Sequence, residues 1–176
     1  MTEGLVDRWS FATLCVVPYA FSAALATGSG FTARSPAGNL YLITNYHVAL
    51  GRHPDTNRPL DPAGHVPDRL MLAMLRERPP EGPQLDPGTV DLSWGPLVHL
   101  LDDGEPLWQE HPRFGRRFDA VALPLDVPPE FRRLEPATSD DQVALFPGST
   151  VSVVGFPHGL AGRPSEDGQA DAFLAA

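Results

Sequence analysis

Three apolar segments open the chain, each rich in β-branched or aromatic residues: Ser10–Tyr19, Leu25–Ala33 and Leu40–Thr44. Segments this short, bounded by Gly, Pro, Ser and Asn, predict strands rather than helices. The turn residues Ser35-Pro36-Ala37-Gly38-Asn39 separate the last two, which predicts a β-hairpin. His47-Val48-Ala49-Leu50 follows and has room for one helical turn only. A long proline-rich excursion then runs from Gly51 to Arg117. Inside it, Leu70–Leu75, Thr89–Leu92 and Leu97–Leu101 predict strands, and Pro79–Gly88, with four prolines and two glycines, predicts an exposed loop. Phe118–Leu125 predicts a strand that ends before Pro128-Pro129. Asp140–Phe146 is ambiguous, and Thr150–Gly155 predicts a strand approached through Pro147-Gly148. Beyond Pro157 the pattern stops: Gly159–Gly168 is turn-like and Gln169–Ala176 is a tail of mostly small residues. Short strands separated by turns, with almost no helix, predict an all-β barrel or sandwich. No heptad run or tandem repeat competes with that expectation.

Composition narrows the picture. Glycine and proline, 16 and 20 of 176 residues, suit many turns, and a hydrophobic share of 42% is enough for a core. The net charge is −9 and every one of the 13 basic residues is arginine. Such a balance repels phosphate backbones, so nucleic acid is not an expected partner. The densest basic group, Arg113, Arg116 and Arg117, is interrupted by Phe114 and Gly115 and reads as a solvated loop. Cys15 stands alone, which rules out an intrachain disulfide and suggests a reducing, cytoplasmic compartment. The uncharged stretch Trp9–Ala26 ends in Ala-Leu-Ala, the kind of small-residue ending a secretory signal carries. Glu3, Asp7 and Arg8 precede it where a signal carries net positive charge, and Pro18 disfavours a membrane span. A buried strand is the expectation there, with a signal as the alternative and no membrane partner.

Two positions carry candidate chemistry. His47 directly follows the apolar strand Tyr41–Thr44, where a rigid element would anchor its ring and leave it open to a substrate, as a general base requires. Alone, it would equally read as a structural histidine at a strand end. Asp119 heads the otherwise apolar run Phe118-Asp119-Ala120-Val121-Ala122-Leu123. A carboxylate buried there needs a partner, and a histidine ring N–H is a suitable one. Alone, it would read as an exposed turn aspartate. The six histidines form no H-E-x-x-H pattern and a single cysteine cannot build a cysteine-rich zinc site. No metal or other cofactor is expected; a histidine–carboxylate cluster assembled only in three dimensions is the alternative.

Taken together, these segments resemble a known family. Thr44-Asn45-Tyr46-His47-Val48 is similar to the T-N-x-H-V histidine motif of bacterial trypsin-like serine peptidases, and Ala26-Thr27-Gly28-Ser29-Gly30-Phe31 to the glycine-bearing strand before it. Phe118–Leu123 resembles their D-x-A-[LV] aspartate motif, and Val153-Val154-Gly155-Phe156-Pro157 their V-G-[FY]-P segment. Gly51–Thr56 and Glu110–Gly115 are similar to segments of a cytoplasmic-looking bacterial branch. The resemblance runs in order from Ser10 to Leu160. It implies a trypsin-like six-stranded antiparallel barrel over residues 1–130, with a long loop insertion at 51–117. Residues 131–176 would hold a linker, the opening strand of an incomplete second barrel and a loosely held tail. It also implies peptide-bond hydrolysis by a Ser-His-Asp triad on a peptide or protein substrate, with His47 as general base and Asp119 orienting it.

The nucleophile departs from that pattern. The family carries it in a G-x-S-G turn after the V-G-F-P segment, and no serine here has that context. Ser29 is flanked by glycines but precedes the histidine; Ser165 is the only serine downstream of the motif and no glycine follows it. Without the serine no acyl-enzyme forms. Backbone oxyanion donors around it are lost as well, each worth about 2.7–4 kcal/mol of transition-state stabilisation. The expectation is a truncated peptidase, inactive alone. Two alternatives stand beside it: a pseudoprotease that binds peptides or proteins through exposed strand edges, and a half-enzyme completed by another chain.

Overall fold

The computed structural model describes residues 13–53, 55–75 and 92–127. The Pro79–Gly88 loop, the segments expected at Asp140–Phe146 and Thr150–Gly155, Ser165 and the Gln169–Ala176 tail lie outside the described residues. Ten strands follow in order: β1 (Thr13–Ala20), β2 (Ala23–Ala24), β3 (Gly28–Arg34), β4 (Leu40–Thr44), β5 (Arg69–Leu75), β6 (Leu92–His99), β7 (Leu101–Asp102), β8 (Glu105–Pro106), β9 (Gln109–Glu110) and β10 (Val121–Pro124). One α-helix, α1 (Tyr46–Leu50), follows β4, and a 3-10 turn (Gly115–Arg117) precedes β10.

Among the described residues the fold is all-β and antiparallel, with one short helix. A single sheet runs β6-β5-β1-β3-β4-β10-β9, with β2 paired to β1, while β7 and β8 form a separate small hairpin. Among the described residues β6 and β9 end the path, so the sheet is open.

β1 shows why this part of the sequence reads as continuously apolar. It pairs with β3 on one side and β5 on the other, and its two faces enter different clusters. Leu14 and Val16 join Leu42, Leu70, Leu72, Leu100, Val121 and Leu123 in the main core. Cys15, Val17 and Tyr19 pack on the opposite face with Ala73, Met71 and Trp94. Period-two alternation thus sends every second side chain to a different core, and the strand has no wet face. The described part of Trp9–Ala26 is therefore a buried strand with its short hairpin. Among the described residues no helix is long and apolar enough to cross a membrane.

The β3–β4 hairpin forms where its turn residues place it. Gly38 donates its N–H to the Ser35 carbonyl at 2.8 Å and sits at φ 86°, while Ser35 donates to the Asn39 carbonyl at 2.9 Å. β6 differs from expectation: one strand spans Leu92–His99 straight through Gly95-Pro96, where two strands and a break were expected. The register explains it. Met71 faces Leu97 and Ala73 faces Trp94, so Gly95 and Pro96 together oppose Leu72 alone. This bulge, at the end of the described path, absorbs a proline that has no N–H for a ladder.

Candidate functional site

β10 lies antiparallel to β4, with Val121 opposite Thr44. In such a pair, whatever follows one strand lies beside whatever precedes the other. Asn45, Tyr46 and His47 therefore meet Asp119 at one end of the sheet. Thr44, the last residue of β4, is buried, and its hydroxyl donates to the Ser29 carbonyl on β3 at 2.9 Å, which ties that end together.

His47 is carried by α1, a helix of only five residues. So short a helix has no stability of its own in water. It is held at both ends. The N–H groups of Val48 and Ala49 return to the Asn45 carbonyl at 3.1 and 3.2 Å. Beyond the C-terminus, Gly51 adopts φ 63° and donates to the Val48 carbonyl, while Arg52 donates to the His47 carbonyl. This double closure is the Schellman arrangement, which places its glycine in the left-handed region. Val48 and Ala49 are buried in the main core beneath it. The glycine-bearing strand noted in the sequence has a role here as well: a Cβ on Gly28 would come within 2.9 Å of Val48 Cγ2, so only glycine lets β3 lie this close to α1.

Asp119 arrives from the other direction. The 3-10 turn Gly115–Arg117 is closed by the Phe118 N–H to the Gly115 carbonyl, and Ala120 donates to the Phe118 carbonyl at 2.7 Å just before β10 begins. Phe118 leans on the His111 ring, with centroids 5.1 Å apart, and His111 in turn meets Phe114 at 4.9 Å. Nδ1 of His111 accepts the N–H groups of Arg113 and Phe114 at 3.1 and 3.2 Å, so that ring is fixed as part of the turn.

The two candidate residues converge. His47 Nδ1 lies 2.7 Å from Asp119 Oδ2, across 72 residues of sequence. The backbone N–H of His47 donates to the other oxygen, Oδ1, at 3.0 Å. Asn45 Nδ2 adds a third donor to the same carboxylate, at 3.2 Å from Oδ2, and also reaches the Asp119 backbone carbonyl at 3.1 Å. A carboxylate at this distance requires the proton on Nδ1 of the neutral ring and leaves Nε2 with its lone pair. The His47 side chain is 26% exposed and that of Asp119 43%. Asp119 is thus less buried than its place at the head of an apolar strand suggests, because it lies two positions before β10, with Ala120 between.

A second pair differs in kind. His65 Nδ1 lies 2.7 Å from Asp61 Oδ2, four residues away. The His65 backbone N–H donates to that same oxygen at 3.1 Å. The backbone N–H of His65, then that of Ala63, and the His65 ring hold the Asp61 carboxyl below the usual carboxylate range. That pairing closes a local turn. His53 also serves a local turn, its Nδ1 accepting the Asp55 N–H at 3.2 Å. Among the described residues no group of three or more His, Cys, Asp or Glu is placed to hold a metal ion.

A shallow cavity of about 200 Å³ opens beside the pair, lined by Ser29, Gly30, Phe31, Thr44, Asn45 and Ala120 among others. Neither His47 nor Asp119 lines it, so it is adjacent to the candidate chemistry and does not contain it. No family model, no curated protein and no solved structure matches this chain.

Asn45 is the residue whose place in the site sequence reasoning missed. It was legible only as part of a motif. Its proximity to Asp119 follows from the β4–β10 register, which no local pattern reveals.

Proposed function

We propose that this chain carries the base and the acid of a trypsin-like, serine-type peptide-hydrolysing site, with His47 as general base and Asp119 as the group that orients it. The observation that carries the proposal is the double engagement of one carboxylate by His47, through Nδ1 at 2.7 Å and through the backbone N–H at 3.0 Å. A general base needs a ring held in one tautomer with the opposite nitrogen open, and this pairing supplies both. The nucleophile would be a serine hydroxyl whose proton passes to Nε2 as its oxygen attacks the scissile carbonyl.

The finer reading of the fold belongs with this proposal. The sheet is the first barrel of that family, rolled over the cluster that joins β1, β4, β5 and β10. Supporting it is a face of buried leucines and valines that gathers β1, β4, β5 and β10 with α1, Leu100 and Leu125 into one cluster. A flat sheet would leave such a face wet.

The sequence contains no G-x-S-G. On this ground the chain does not hydrolyse peptides alone, and a second reading stands: a module that binds a peptide or protein strand without cutting it. A fluorophosphonate probe, which labels activated serines, decides between outcomes. The purified chain is expected to remain unlabelled. Labelling that disappears in His47→Ala would overturn the inactive reading and expose a nucleophile within the chain. Labelling that requires an added second polypeptide would mean that the serine comes from that chain.

A further inference from the structure

Asn45 stands immediately before α1, where an asparagine side chain ordinarily accepts a hydrogen bond from the second or third helical N–H. It makes no such bond. Its Nδ2 instead donates to Asp119 Oδ2 at 3.2 Å and to the Asp119 backbone carbonyl at 3.1 Å. Both partners are acceptors only, so the amide must present its NH2 group to them. The capping position is filled from elsewhere in the chain: Asp119 Oδ1 accepts the N–H of His47, the second residue of the helix.

We infer that Asn45 is a positioning residue for the His47–Asp119 pair, its amide bridging the side chain and the backbone of Asp119 so that the carboxylate stays aimed at His47. The inference rests on reading His47 as a base held by Asp119. A carboxylate that is 43% exposed can rotate about its own side-chain bonds and exchange its partners for water. The bridge opposes that rotation, because one of its two hydrogen bonds ends on main chain that β10 already fixes. Freed from capping, the asparagine links three elements: the end of β4, the start of α1 and the approach to β10.

The test is nitrogen NMR of the imidazoles in the full-length chain, read at a pH where the His47 ring is neutral. The wild-type ring is expected to carry its proton on Nδ1. Serine and aspartate are both strong helix caps, but neither donates an amide N–H. Asn45→Ser and Asn45→Asp should therefore stay folded and shift the ratio of Nδ1–H to Nε2–H forms on the order of fivefold toward Nε2–H, about what one lost hydrogen bond produces. Should the serine variant fail to fold, the aspartate variant decides on the same readout. A wild-type tautomer ratio in the folded variants would overturn the inference, since neither replacement can form the amide bridge to Asp119. Asp119→Ala separates this outcome from failure of the parent reading. If that variant also leaves the tautomer unchanged, Asp119 does not hold His47 and both readings fall. If it abolishes the Nδ1–H preference while the Asn45 variants keep it, only the role of Asn45 falls.

Discussion

Two imidazoles in this chain are driven to opposite tautomers by what faces Nδ1. At His47 it faces a carboxylate and must donate; at His111 it faces two backbone N–H groups and must accept. Only the first leaves Nε2 free to take a proton, so these histidines differ in chemistry before any substrate is considered. Cys15 is a third residue defined by its surroundings. Burial in β1 pushes its thiol up to about 11, which keeps it protonated and unreactive at neutral pH. Alkylation by iodoacetamide at pH 8 is expected to be on the order of a hundredfold slower in the native chain than in urea, the ratio of thiolate populations implied by the shift. Comparable rates in both would show that the thiol is not buried. At this scale the lone cysteine was readable from its count, whereas His47 and Asp119 were singled out only by their order and strand context. The sequence was silent on Asn45, whose partner is a backbone carbonyl 74 positions away. It overstated the burial of Asp119, because hydropathy does not show that β10 starts two residues later.

At the scale of elements, α1 depends on its terminations. A β-carbon at position 51 would sit 2.5 Å from Pro67 Cδ, in a residue already at φ 63°. Gly51→Ala is therefore expected to cost at least ~1–2 kcal/mol from the left-handed backbone alone, with the clash added to it. A lowered urea midpoint, together with faster exchange of the Arg52 amide, would register the loss; an unchanged midpoint would remove Gly51 from the account of how His47 is held. The hairpin β3–β4 was legible because its turn residues have only a few compatible conformations. β6 was not, because Gly-Pro reads locally as a break. Whether a strand can pass through it depends on the bulge opposite Leu72, a property of the partner strand rather than of β6.

At the scale of the whole molecule, one sheet connects the site to elements far from it. β5 is separated from β4 by β1 and β3, yet Leu72 of β5 and Leu42 of β4 share the main core. Leu72→Ala is expected to lower stability by about 2–5 kcal/mol without changing the denaturant slope. The His47 ring signals should be lost in the same transition as the far-ultraviolet circular dichroism. Two separated transitions would mean that the site end and the β5 side unfold independently. The β4–β10 register also works as a ruler. A slip of one residue would carry Asp119 about 3.3 Å along the strand and turn the side chains of β10 to the opposite face. The offsets of three residues from Thr44 to His47 and two from Asp119 to Val121 are therefore rigid, and neither tolerates a single insertion or deletion. The Asp103-Gly104 tip of the β7–β8 hairpin lies between the same two residues in sequence and is bound by no such measure. A peptide tag could be grafted there, lengthening the chain between His47 and Asp119 while leaving the distance across the site unchanged.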